Sequence, residues 1–259
     1  MNLARHLTPK RIVAGAAGVL VVMAAAVGPA MASTPSATPA ATTAPASCLS
    51  EAIAAKTGPS VSTVQALGDC MVNQRLTTLG NLRTAVAGAA ALTPDHAAAL
   101  DAIIASSQSG LQTLKGKIDA DTTLTAVRAD VRGISTGYRV DVLVARQVGL
   151  VRGDDLVDAA AVRLTSAADE IQAAVTAGQN AGKDESAAAA RLAAMRDAIA
   201  AAQAEVNGQA ALVLPLTPAQ WNAGAATPVL RADRGAIATA RGDLRRAAAE
   251  ARAAVAALK

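Results

Sequence analysis

The sequence predicts an all-α protein, an elongated antiparallel helical bundle with coiled-coil-like packing. Three observations predict it. The chain is alanine-rich and has no Phe, one Trp and one Tyr, a composition that favours helix and starves strands. Apolar residues recur at three- and four-residue steps through one segment after another. Thr-Pro pairs punctuate the chain at Thr93-Pro94, Thr217-Pro218 and Thr227-Pro228, each setting an N-cap ahead of a proline at the first helical position.

The first segment reads as an export signal. Arg5, Lys10 and Arg11 form a basic head without acids, and Ile12 to Met31 is an uncharged apolar run closing on Gly28-Pro29 and Ala30-Met31-Ala32. Basic head, apolar middle and small-residue exit are the parts of a cleavable signal peptide spanning 1–32. An uncleaved anchor is the rival reading, because about 20 apolar residues just span a bilayer. Residues 33–47 contain only Ser, Thr, Pro and Ala. They lack the apolar area needed to offset ordering and are expected to form a disordered tether.

Cys48 and Cys70 are the only cysteines, an even pair in an oxidising compartment, which predicts a disulfide. Gly58-Pro59 lies midway between them, so two helical arms of similar length bring the sulfurs level. The helical bundle domain is expected over 48–259. Its short first helix covers 49–57, followed by long ones near 60–91, 94–119, 122–180, 184–213 and 228–258, with the fourth of these six bending at Gly133 and Gly137.

Most long segments carry an apolar stripe of their own. Leu100, Ile104, Leu111, Leu114 and Ile118 form one; Leu124, Val127, Val131, Ile134 and Tyr138 form the next. Leu164, Ala168, Ile171 and Val175 are followed by Leu192, Met195, Ile199, Ala202 and Val206. In the last helix Leu230, Ile237, Leu244, Ala251 and Leu258 recur every seventh residue. Such a seam closes within one chain or between chains.

Charge and motifs exclude several functions. Three of the 24 basic residues belong to the signal, so 21 bases face 20 acids in the mature chain. No basic block marks a nucleic-acid partner. Membrane contact is expected only through the signal segment if it stays uncleaved. His96 is the one histidine after the signal and reads as an exposed residue in a capped helix start. No H-E-x-x-H or Glu-x-x-His pattern occurs. Asp119-Ala-Asp121 begins like a calcium loop, but Leu124 stands where such a loop needs Gly and Asp130 where it needs Glu. Asp154, Asp155 and Asp158 read as a solvated helix face. No cofactor, metal or catalytic residue is therefore expected, and the chain reads as a non-enzyme.

The densest stretch runs from Gly110 to Val140. Arg128, Arg132 and Arg139 lie close in sequence to Asp119, Asp121 and Asp130. One reading is an interaction patch for acidic groups or sugars, made of Arg128, Arg132, Arg139, Tyr138 and Trp221. The other is an ion-pair network fastening a corner, with Trp221 plugging the bundle end. This stretch (KIDADTTL and YRV above all), the LTPAQW motif at Leu216–Trp221 and the heptad-like last helix resemble a family of secreted, alanine-rich helical proteins of high-GC Gram-positive bacteria. The resemblance implies an extracellular helical fold and a bacterial source. It carries no activity, ligand or site residue.

The expectation is a non-enzymatic secreted or cell-envelope helical protein acting as an interaction or spacer module toward an envelope or extracellular partner. The alternative is an extracellular carrier or sensor that binds a small hydrophobic or acidic ligand between helices.

Overall fold

Nine α-helices follow one another in the computed structural model, which describes residues 47–258. The expected signal segment, 1–32, and the tether up to residue 46 lie outside the described residues. The helices are α1 (Leu49–Thr57), α2 (Val61–Ala87), α3 (Pro94–Ala120), α4 (Leu124–Tyr138), α5 (Ala145–Asn180), α6 (Ser186–Val206), α7 (Gln209–Val213), α8 (Pro218–Asn222) and α9 (Ala226–Ala257). A π-helical turn, Val140–Val144, joins α4 to α5. The all-α expectation holds.

The chain starts as a stapled hairpin. Ser60 and Thr63 form a capping box that starts α2, and the Cys48–Cys70 disulfide holds α1 against it with Cα atoms 5.7 Å apart. The staple matters because α1 buries none of its own residues and leaves Leu49 and Ile53 exposed. Burial alone gives this helix little reason to dock.

α2, α3 and α4 form an up-down-up array. Lys115 pairs with Asp69 at 2.6 Å and Arg83 with Asp101 at 2.8 Å, which fixes α2 and α3 as antiparallel. All five apolar residues of the α3 stripe are buried, at about 1.5–3 kcal/mol for each large side chain removed from water. Gly68 is the point of closest approach. A Cβ placed there would lie 2.8 Å from Val131 Cγ2 and 3.1 Å from Ile118 Cγ2, so the missing side chain lets three helices meet.

α5, α6 and α9 form a second array. α6 runs antiparallel to α5, because Arg196 pairs with Asp169 while Gly178 lies against Glu185 at the start of α6, and Arg191 of α6 pairs with Glu250 of α9. Its core is built largely from small residues, including fully buried Ala161, Ala168, Ala198, Ala202, Ala240 and Ala254. Alanine buries little area per residue, so the long seam must supply the rest.

Two glutamines tie helix ends to distant helices. The Gln65 amide on α2 donates to the carbonyls of Ile118, Asp119 and Asp121 at the C-terminal end of α3. Buried Gln147 on α5 donates to those of Val213, Leu214 and Leu216 past the end of α7. Both satisfy carbonyls that a helix terminus leaves without partners.

Three expected elements differ. The long 122–180 helix is interrupted at Arg139, which takes a left-handed conformation (φ 47°), and not at Gly133 or Gly137. A glycine inside a helix lowers its stability but does not break its hydrogen bonds. The 184–213 helix splits at Gly208 (φ 77°) into α6 and α7. Thr93 and Thr217 cap their helices as expected, but Thr227 does not. α9 starts one residue earlier, at Ala226, without a side-chain cap. Pro228 then falls within the first turn, where the backbone N–H it lacks has no intrahelical partner anyway.

Candidate functional site

The expected interaction patch divides in two. Thr123 caps α4 by accepting from the Ala126 N–H, which sends Arg128 and Arg132 out on the exposed side of the helix. Among the described residues no ion pair links Arg128, Arg132 or Arg139 to Asp119, Asp121 or Asp130; Asp119 pairs with Lys115 instead. The expected ion-pair network is not formed.

The other members meet at the end of α4. Tyr138 lies over Gly110, where a Cβ would come 2.5 Å from its ring, and burial pushes the phenol above its ordinary pKa. Arg139 Nε donates to Asn222 Oδ1 at 2.7 Å, and Asn222 Nδ2 donates to the Thr136 carbonyl at 2.8 Å. Next along α8, Trp221 lies under the Arg146 guanidinium, 5.2 Å from the ring centre. The left-handed Arg139, at a cost of about 1–2 kcal/mol, directs its side chain to this latch. Arg128 and Arg132 lie further back along α4, about 15 and 9 Å from Tyr138 at the helical rise.

A second constellation, Asp154, Asp155 and Asp158, was expected to be solvated, and only its Asp158 is exposed. Asp154 and Asp155 are only 2% and 3% exposed. Asp155 accepts from the Thr93 N–H at 2.7 Å and meets His96 Nδ1 at 2.8 Å, so it anchors the start of α3 on α5. His96 is therefore half-buried against a carboxylate, not an exposed cap residue. Asp154 faces Asp233 of α9, and neither carboxylate has a hydrogen-bond donor among the described residues. Two buried carboxylates facing each other favour the neutral form of one of them. Burial first, then the charges of Asp233, Asp155 and Asp158, pushes Asp154 up to about 8. Burial likewise raises Asp233, and it raises Asp158 together with the charge of Asp155.

Asp154, Asp155 and Asp158 border a cleft of about 390 Å³ that also meets His96, Gln203 and Asn207. Imidazole, carboxylates and amides supply proton acceptors and hydrogen-bond donors. No hydroxyl, thiol or amine side chain lines the cleft beside the His96–Asp155 pair. Among the described residues no group of three or more His, Cys, Asp or Glu is arranged to hold a metal ion.

A third constellation is basic. Arg146, Arg152 and Arg163 follow one another along one side of α5, and Arg231, Arg234 and Arg241 along the facing side of α9. They line two open clefts of about 500 and 350 Å³ that share Gly149, and neither cleft contains an acidic residue.

Searches against protein families, curated proteins and solved structures returned no match to this chain. Among the described residues no helix is long and apolar enough to cross a membrane.

Proposed function

We propose that the chain is exported by a cleavable signal peptide and acts outside the membrane, secreted or wall-associated, as a non-enzymatic interaction module on a Ser/Thr/Pro/Ala tether. The observation that carries this reading is the one-signed face of α5 and α9. Most acids of the domain are used inward or in pairs, such as Asp154, Asp155 and Asp233 in burial and Asp69, Asp101 and Asp119 in ion pairs. The arginines along α5 and α9 have no such acid and remain available to a partner. The disulfide is consistent with an oxidising compartment.

Co-sedimentation of the exported protein with washed envelopes of the producing cell tests the reading. Saturable retention that survives His96→Ala is expected. No retention even at low ionic strength, or retention abolished by His96→Ala with the fold intact, overturns it. A second reading, an extracellular carrier or sensor of a small acidic ligand, rests on Arg146, Arg231 and Arg234 converging in one cleft beside Trp221. A rise in melting temperature with inorganic phosphate or a sugar phosphate would favour it.

A further inference from the structure

We propose that the face between α5 and α9 is a binding groove for a linear sugar- or polyol-based polymer that carries repeated oxyanion groups. This inference rests on the interaction-module reading and names its ligand.

The groove is assembled by helical periodicity. Positions 146, 149, 152, 156, 159 and 163 advance by three or four residues and so share one side of α5. Positions 231, 234 and 241, at steps of three and seven, likewise share one side of α9. Contact of Gly153 with Ile237, where a Cβ would come 2.8 Å from Ile237 Cδ1, brings the two helices close along this line. The result is two clefts that share Gly149, with three guanidinium groups in each, the larger one walled on its far side by residues 88–92 between α2 and α3.

The cations are uncommitted. Arg163 makes only a hydrogen bond to the Ala159 carbonyl of its own helix, and Arg146 lies on Trp221. Among the described residues Arg152, Arg231, Arg234 and Arg241 have no acidic partner. Six like charges lining two clefts repel one another, and an anionic occupant would relieve that repulsion. Guanidinium is also the side chain whose fork matches phosphate and carboxylate oxygens in pairs.

Length and lining select the class of polyanion. From Arg146 to Arg163 the charges extend over about 25 Å of helix, more than a single small ligand covers and suited to a chain. The floor between them is Gly149, Gly153, Leu156 and Ala159, small and apolar, which receives a C–H backbone without competing for its charges. No aromatic side chain lines either cleft, so single-stranded nucleic acid would find no stacking platform. The arginines line concave clefts, which fits an inserted strand better than a flat headgroup layer.

The test uses the full mature chain with four probes: poly(glycerol phosphate), polygalacturonate, an oligothymidylate and phosphatidylglycerol vesicles. Binding to one or both of the first two is expected, phosphate and carboxylate sources being told apart by which. Raising salt from about 50 to about 200 mM should weaken it roughly a hundredfold if five charges are neutralised. The Arg152→Glu/Arg241→Glu variant, altered at surface side chains only, should bind at least tenfold more weakly with unchanged melting temperature. Arg128→Glu/Arg132→Glu makes the same charge change on α4 and should leave binding intact. Equal losses in both variants, no binding to either carbohydrate polymer, or preferential binding to oligothymidylate or vesicles overturns the groove. If envelope retention persists unchanged in Arg152→Glu/Arg241→Glu, the groove assignment fails while the interaction-module reading stands.

Discussion

Replacing Asp233 by Asn should stabilise the bundle, and by more as the pH rises. In the wild type, Asp154 and Asp233 face each other across the α5–α9 seam with no other donor, so the folded state must hold a proton that the unfolded chain releases. An unfolded aspartate titrates near pH ~3.9, whereas burial and the neighbouring acids push Asp154 up to about 8. The folded pKa is the higher one. The pair's contribution is therefore fully present below the unfolded value and is lost as pH rises through the window to about 8. Each pH unit in that window costs about 1.4 kcal/mol, which bounds the loss at pH 7 near 4 kcal/mol. An amide at 233 removes one charge and donates to Asp154, which should recover about half, ~2 kcal/mol. For a domain of this size that is a rise of about 4–8 °C in Tm. Thermal unfolding at about pH 5.5 and about pH 8.5 checks it: the wild-type Tm should fall between the two, and the Asp233→Asn curve should be flatter and higher. A wild-type Tm that holds steady across this range, with no gain in the variant, would refute the proton-sharing pair.

Gly68→Ala forces a Cβ to within 2.8 Å of Val131; overpacking of about 1–3 kcal/mol should outweigh the ~1 kcal/mol gain in helix propensity, whereas Gly116→Ala, with open space around it, should stabilise. Chemical denaturation of both variants reads the opposite signs. Gln147→Leu strips a buried amide from three carbonyls and should cost about 2–4 kcal/mol by the same measurement, since buried acceptors are left unpaired. Cys48→Ser removes a staple worth about 3 kcal/mol on the chain-entropy account. Because α1 buries none of its residues, hydrogen exchange should show α1 losing protection while α3 and α6 keep theirs.

The apolar stripes were legible because burial in a helix leaves a period in the sequence. Leu100 through Ile118 and Leu192 through Val206 are buried where the spacing placed them. The helix breaks were less legible. Arg139 is left-handed because tertiary contacts with Asn222 reward it, and no local residue preference announces that. The acids were misread for a related reason. Asp154, Asp155 and Asp158 look like a solvated face on α5 alone, but α9 and the start of α3 cover Asp154 and Asp155 and leave only Asp158 exposed. A signal was present nonetheless: Asp233 lies three residues after Leu230 and four before Ile237, an acid on the apolar seam itself. The arginine face escaped because its two halves come from separate helices, and a near-balanced net charge conceals one-signed surfaces once the acids turn inward.

The most direct test of the account is to produce the full chain in an export-competent GC-rich Gram-positive host, fractionate medium, wall and membrane, and read the N-terminus and thiol state of the recovered protein. The account predicts a start at Ser33, Cys48 and Cys70 oxidised, and recovery from medium or wall. Recovery from the cytosol with Met1 retained and both thiols free would contradict it.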